Sequence, residues 1–476
     1  MPRLPDSDET YVTTVRGMCR GCRKVVPARV FFRGGAVWQQ ALCPECRPVP
    51  AKIAGDQAWY LDQVMRPMLD RAPLRCAQPP QRGCPHDCGP CTWHATPCQL
   101  PVLSVTNACN LRCPICFTHN RADQLFFMSV EEMRQTVDWV VESSGPVDLI
   151  NVTGGEPSLH PQILDLLACC KRPEIGRITM NSNGIRLAED PEFCRRLAAL
   201  GVCVILSFNT FDPAVSRRLH GCDLVSTKLK AIDNLTAAGV RMTLLNVLVR
   251  GQNEEALTGL FDLMRGNDQI LSLTAQTMTY TGQGGAHFEK AAGAHLPVDE
   301  ATRIVCERSG GALEFGDFLT KPSAHPLCYL TSYMLKAGSE FLPFARVAPR
   351  EKLQELMQDS YLLRLDDREA FFKEVMDTLF ANGETAKLRV FRKLVEALYP
   401  AGRTLTPFER QRVAEAAVRT VYIHAHMDED TFDCSRAMHC PDLVPASPGR
   451  LIPACTYNLF YRMQDPRFFV EEPTAR

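Results

Sequence analysis

The sequence lacks any marked excess of one charge: 53 Lys and Arg stand against 54 Asp and Glu, a formal net charge of −1. No global field therefore draws the chain to nucleic acid or to an anionic membrane surface, and only a local patch could do so. Long apolar runs are missing as well. None approaches the roughly 20 residues that span a bilayer, and the opening MPRLPDSDETYV has no charged segment leading into an apolar one. Internal repeats and low-complexity tracts are absent. These absences predict a cytoplasmic chain with no transmembrane span, leaving peripheral membrane contact open. At 476 residues and 45% apolar content it has room for about three average domains and a substantial core.

What is abundant is cysteine, 22 in all. In a reducing compartment disulfides rarely persist, so short-spaced cysteines read as metal ligands. Cys19 and Cys22 with Cys43 and Cys46 have the spacing of a four-sulfur tetrahedral site, either a zinc ribbon or a rubredoxin-like iron. Cys84, Cys88 and Cys91 share a three-then-two spacing with Cys109, Cys113 and Cys116. Such a loop presents three sulfurs to one centre and can wrap three corners of a cubane iron-sulfur cluster. Cys98 stands behind the first copy and is expected to close that cluster, whereas no cysteine follows the second until Cys169, leaving its fourth iron open. Cys434, Cys440 and Cys455, with Cys328, form a looser group expected to hold a further auxiliary cluster; unrelated free thiols are the alternative. Asp433, Arg436 and His439 flank it, either supporting the cluster or sitting in solvent. Cys169, Cys170, Cys194, Cys203, Cys222 and Cys306 lie apart, in contexts suited to thiols that pack as small hydrophobes.

Short β-branched or apolar runs predict strands at Pro101–Thr106, Val147–Thr153, Arg177–Asn181, Val202–Phe208, Val240–Val249 and Ile270–Thr277. Helical patterns separate them, as at Ser129–Ser143 with Val130, Met133, Val137, Val140 and Val141 on one stripe. Alternation of this kind predicts an α/β fold, a partial (β/α)6 TIM-type barrel. The expected organisation is a cysteine-knuckle module with linker over 1–75 and an auxiliary iron-sulfur loop over 76–99. The partial barrel follows over 100–320, and a helical, cluster-binding extension over 321–476. Pro400 and Gly402 end its charged helical stretch.

The loop Thr106-Asn-Ala-Cys109-Asn-Leu-Arg-Cys113-Pro-Ile-Cys116, at the end of the first barrel strand, resembles the signature of the radical S-adenosylmethionine (radical SAM) superfamily. The second strand ends in Gly154, Gly155, Glu156 and Pro157, resembling the segment that meets the SAM amino group. By the same resemblance Asn181, Asn183, Ser207, Asn209 and Glu254 would meet the SAM carboxylate, ribose and adenine. Read without it, each is a polar turn residue at a strand end. The resemblance extends to one branch, the class D radical methylases typified by 7,8-dihydro-6-hydroxymethylpterin methyltransferase, together with tetraether lipid synthases. It rests on Gly83–Cys91, Trp93, His94, Cys98, His325–Cys328 and Ile452–Asn458. Ser323 departs from it, standing where relatives commonly have another cysteine.

The resemblance implies a [4Fe-4S] cluster with an open iron that binds SAM, one or two auxiliary [4Fe-4S] clusters, and Zn2+ or iron in the N-terminal site. It implies reductive cleavage of SAM to a 5'-deoxyadenosyl radical and alkylation, of methylase type, at an unactivated carbon of a small molecule such as a pterin. Electrons would come from a reductase such as ferredoxin or flavodoxin. The near alternative is coupling of lipid alkyl chains, for which Leu125–Met128 could rim a channel. From another class, a non-catalytic electron carrier or metal scaffold would use the same cysteines.

Overall fold

The computed structural model describes residues 8–64, 68, 70–71, 80–89, 91–120, 124–290, 293–358, 360–362, 369–447 and 450–469. Its first sheet is an antiparallel meander of β1 (Thr10–Met18), β2 (Val25–Arg33), β3 (Ala36–Ala41) and β4 (Ala51–Ala54). The module is fastened to the helix Val298–Arg308. The Asp299 carboxylate accepts from the Gly55 backbone N–H at 2.9 Å, Lys52 donates to Glu300 at 2.5 Å, and Arg303 donates to Asp56 at 2.7 Å. The bridging segment expected to be helical forms Gln57–Gln63, capped by Asp56; its remainder lies largely outside the described residues.

The second sheet contains β5 (Leu100–Ser104), β6 (Val147–Thr153), β7 (Ile175–Ser182), β8 (Cys203–Ser207), β9 (Met242–Leu248) and β10 (Ile270–Thr277) as consecutive parallel neighbours. These are the six strands expected from sequence. The crossover helices cover them with apolar stripes: Val130–Ser144 begins in a Ser129–Glu132 capping box and buries Met133, Val137 and Val140 completely. Both faces of the strands are covered, which is why β9 reads Met-Thr-Leu-Leu-Asn-Val-Leu rather than alternating.

The sheet continues beyond the six. β11 (Leu319–Thr320), β12 (Tyr329–Ala337), β13 (Glu340–Pro343), β14 (Val418–His424), β15 (Asp442–Ser447) and β16 (Arg450–Pro453) come from the C-terminal third. β14 pairs in parallel with β10, and β15 in parallel with β5, so this third supplies both flanking strands of the barrel. Residue 320 therefore does not divide two separately packed bodies. The charged stretch forms three helices, Arg350–Met357, Glu369–Ala381 and Thr385–Leu398, around a second core that includes Leu353, Phe372 and Phe391. Among the described residues no helix is long and apolar enough to cross a membrane.

Candidate cluster-binding site

The carboxyl ends of the parallel strands form one mouth, and the Cys109–Cys116 loop enters it from β5. Two glycines seat the loop. Gly154 has φ +150°, and a Cβ there would stand 2.3 Å from Thr106 O; one on Gly155 would stand 2.2 Å from Ala108 O. With no side chains between them, the backbones join: Gly155 N–H donates to Thr106 O at 2.8 Å and Glu156 N–H to Ala108 O at 2.7 Å. The far end of the loop is held by residues 282–285, where Gly284 and Gly285 N–H donate to Cys116 O at 3.0 and 2.6 Å. Asn458, within the C-terminal segment Ile452–Asn458, donates to Phe117 O at 2.8 Å and accepts from His119 N–H at 3.1 Å.

Cys109, Cys113 and Cys116 feel one another's charge. Burial, then Cys116 and Cys109, push the Cys113 thiol up to about 12; burial, with Glu156 and Cys116 adding to it, pushes Cys109 up to about 11. Thiols raised in this way ionise only beside positive charge, which a metal cluster supplies. Lys228, buried on the helix Val225–Ala237, donates to Asn183 O at 2.5 Å and lies in electrostatic reach of Cys113 and Glu156. Burial brings its ammonium down to about 8. Cys222, expected to stand apart, is within the same reach of Cys113.

The residues expected to meet SAM divide. Glu156 is buried and its carboxylate is spent on structure, accepting from Ser158 N–H at 3.1 Å, Ser182 Oγ at 3.0 Å and Asn183 N–H at 2.6 Å. It ties the end of β6 to the turn after β7. Pro157 opens the short helix that follows. Asn181 Oδ1 is buried with no donor among the described residues, and Asn183 donates to Asn110 at 2.7 Å. Ser207 ends β8, half-buried. Asn209 faces its own wall: its Oδ1 accepts from Val247 N–H at 2.7 Å and its Nδ2 lies 3.0 Å from His220 Nε2. Both side-chain atoms are occupied inside the wall. Glu254 likewise accepts from Gly251 N–H, closing its own turn.

The other cysteines regroup. Cys84 faces Cys88, Cys91 and Cys434, not Cys98. Cys84 and Cys434 are at hydrogen-bonding range of each other's carbonyl oxygens, at 4.0 and 3.5 Å. The Cys98 thiol is fully buried in the barrel core near Asp442. Chain proximity suggested Cys98; β15 pairing beside β5 instead brings Cys434 across 350 residues. His94 lines a small cavity with Cys84, Cys88 and Cys91, and its Nε2 is buried without a partner among the described residues. Cys328, Cys440 and Cys455 form the remaining group, without Cys434. Arg436 is buried there and donates to Cys328 Sγ at 3.3 Å, while Asp433 caps Ser435 and His439 meets Asp70 at 2.8 Å. Ser323 accepts from Gln99 at 3.0 Å. His426, two residues past the end of β14, stands 3.4 Å from Cys455 Sγ, with His424 against it at 4.2 Å between ring centroids; sequence reasoning passed over both, and the His-x-His spacing was the available signal.

At the N-terminus all four sulfurs of Cys19, Cys22, Cys43 and Cys46 lie within 4.8 Å of one another, with Cys22 and Cys43 at 3.8 Å. A tetrahedron with metal–sulfur bonds of about 2.3 Å has edges of about 3.8 Å, so this site fits one ion. Each knuckle ends in a left-handed arginine, Arg23 (φ +58°) and Arg47 (φ +46°). The Arg23 and Arg47 N–H groups return to Cys19 O and Cys43 O at 2.7 and 3.1 Å.

Leu125–Met128, the candidate channel rim, divides between surface and interior. Phe126 packs edge-on against Phe468 at 5.5 Å and Met128 is buried, while Leu125 and Phe127 are exposed, Phe127 with its backbone bridged to Thr106.

Residues 103–264 match the Radical SAM superfamily. Over 477 aligned positions the chain is 23% identical to 7,8-dihydro-6-hydroxymethylpterin dimethyltransferase of Methanocaldococcus jannaschii, covering 94% of this chain and 93% of that one. It is 32% identical over 214 positions to GTP 3',8-cyclase of Tolumonas auensis, covering 43% of this chain and 60% of that protein. The solved structure of Streptococcus suis SuiB bound to S-adenosylmethionine aligns at TM-score 0.36 and 19% identity, covering 44% of this chain and 46% of that one.

Proposed function

The chain carries a Radical SAM domain at residues 103–264 and is a radical SAM enzyme; from that premise we propose that it methylates an unactivated carbon of a small molecule such as a pterin. Alignment with a pterin dimethyltransferase along nearly the whole of both chains supports the methylase reading over carbon-carbon coupling of lipids. The observation that carries the chemistry is the three-thiol loop of Cys109, Cys113 and Cys116, bonded through its backbone to the Gly154–Glu156 turn at the barrel mouth.

We assign these three thiols to a [4Fe-4S] cluster with one iron left for SAM. The donor set, the glycine cradle and the unpaired Asn181 Oδ1 fit that pair of ligands. When bound, cluster and SAM supply one-electron cleavage to a 5'-deoxyadenosyl radical. The chain's own residues do the rest. Gly154 and Gly155 leave backbone, not side chain, at the turn; Asn181 Oδ1 is an acceptor for an ammonium; Glu156 fixes the turn that carries Asn183. Lys228 places a cation beside Cys113, offsetting the charge of the thiolates. Asn183 and Ser207 remain candidates for SAM contacts.

In the same reading Cys84, Cys88, Cys91 and Cys434 hold a closed auxiliary cluster, Cys328, Cys440 and Cys455 hold a second, and the N-terminal four hold zinc or iron. A low-potential carrier such as ferredoxin or flavodoxin delivers the electron. The test is anaerobic reconstitution followed by reduction with SAM present: release of 5'-deoxyadenosine is expected from the wild type and from Cys222→Ala, and none from Cys113→Ala. An intact cluster that cleaves no SAM would refute the enzyme reading, and loss of cleavage in Cys222→Ala would show that the fourth iron is not open. Transfer of a methyl group to a pterin acceptor tests the substrate class.

A further inference from the structure

His426 makes two contacts that belong to different cysteine groups. Its Nδ1 stands 3.4 Å from Cys455 Sγ, and its ring stacks on Phe117 with centroids 4.6 Å apart and planes 23° apart. Phe117 directly follows Cys116. The column continues behind it: His424 lies 4.2 Å away, and Tyr329 stacks on His424 at 4.1 Å and 12°. Tyr329 directly follows Cys328. A row of rings thus runs from the neighbour of one group's last cysteine to the neighbour of the other group's first, and touches Cys455 at His426.

The backbone fixes that position. Met427 N–H donates to the same Cys455 sulfur at 3.3 Å, and Ala425 N–H donates to Cys328 O at 3.0 Å. A sulfur bound to iron is a thiolate and has no proton to give, so the imidazole Nδ1–H is the donor. Hydrogen bonds to cluster sulfurs raise the reduction potential, because they stabilise the additional negative charge of the reduced state.

We propose that His426 is a positioning residue that joins the Cys328/Cys440/Cys455 group to the Cys109–Cys116 loop, donating Nδ1–H to Cys455 Sγ and holding its ring against Phe117. Through the hydrogen bond it sets the potential of the C-terminal group, and through the stack it fixes that group against the SAM-cleaving loop. The inference rests on the reading that Cys328, Cys440 and Cys455 hold a cluster.

The experiment uses the full-length, anaerobically reconstituted protein, with iron content, far-UV circular dichroism and an EPR-monitored redox titration as readouts. Cys440→Ala identifies the auxiliary signal by removing it. His426→Leu is expected to keep the iron and the fold while lowering the midpoint of that signal. His426→Gln, which retains an N–H donor, restores most of the midpoint. Phe117→Leu, which frees the ring to turn, lowers it by less. An unchanged midpoint in His426→Leu overturns the proposal, as does loss of that group's iron, which would make His426 a ligand. If Cys440→Ala removes no signal, the cluster reading itself falls and this proposal with it.

Discussion

Gly155→Ala isolates the contact that seats the three-thiol loop. Gly155 does not occupy the left-handed region, so the substitution costs little in backbone conformation and the penalty is steric. The new Cβ would meet Ala108 O at 2.2 Å, Ala108 C at 2.7 Å and Asn107 O at 2.8 Å, all backbone atoms that no rotamer change can move. Relief to ordinary contact requires the two segments to part by roughly 1 Å. That separation lengthens the Gly155–Thr106 and Glu156–Ala108 hydrogen bonds, now 2.8 and 2.7 Å. Overpacking costs about 1–3 kcal/mol and each weakened bond about 0.5–1.5 kcal/mol, so a local cost of about 3 kcal/mol is expected. At about 1.4 kcal/mol per decade, the seated loop loses roughly a hundredfold in population, and SAM affinity falls by about that factor. Equilibrium dialysis of SAM against the reconstituted protein measures it, with metal at the other cysteine groups unchanged. Gly251→Ala is the control: φ is +69° there but no atom lies within 4 Å, so it costs about 1–2 kcal/mol of backbone strain and leaves SAM binding alone. SAM affinity within threefold of wild type in Gly155→Ala would refute the reasoning.

Three further outcomes follow from the packing. Cys434→Ala is expected to remove the iron held with Cys84, Cys88 and Cys91, whereas Cys98→Ala retains it; iron quantification separates the two. Glu415 is buried, accepts from Arg177 at 2.9 Å and pairs with Arg241. Glu415→Gln leaves two partly buried guanidinium groups uncompensated and should destabilise the protein by about 2–4 kcal/mol in urea denaturation. Burial lowers His220 to about 4 from 6.5, with Lys228 contributing. The unfolded chain takes up this proton between about pH 6.5 and 4 while the folded chain does not. Stability is therefore lost as pH falls through that window, by up to roughly 3 kcal/mol, and His220→Gln flattens that part of the profile.

Much of the site is legible in sequence because its signals are local. The three-two cysteine spacing, the Gly154–Pro157 turn and the paired Cys-x-x-Cys knuckles each act within a few residues, where chain geometry is nearly fixed by residue type. The six barrel strands are legible for the same reason, since burial on both faces forces continuous apolar runs. Asn209 and Glu254 show the limit of that reading, because a polar residue at a strand end reads alike whether it faces a ligand or ties down its own wall, and both tie down their own backbone here. His424 and His426 offer only a His-x-His spacing, which names no partner, and Lys228 looks like any helical lysine until its helix is docked.

The amino-acid sequence by itself determined that cysteine groups of a particular spacing would sit at the end of a barrel strand, with a glycine turn beside them. Tertiary structure alone decided how the distant cysteines are shared: Cys434 leaves the group expected with Cys328, Cys440 and Cys455 and stands with Cys84 in place of Cys98. The physical reason is that sheet pairing sets those partnerships. β14 and β15 flank the six parallel strands on opposite sides, through parallel pairing with β10 and β5. Such long-range pairing, settled by total burial rather than by any short segment, leaves no trace in the spacing of the residues it brings together.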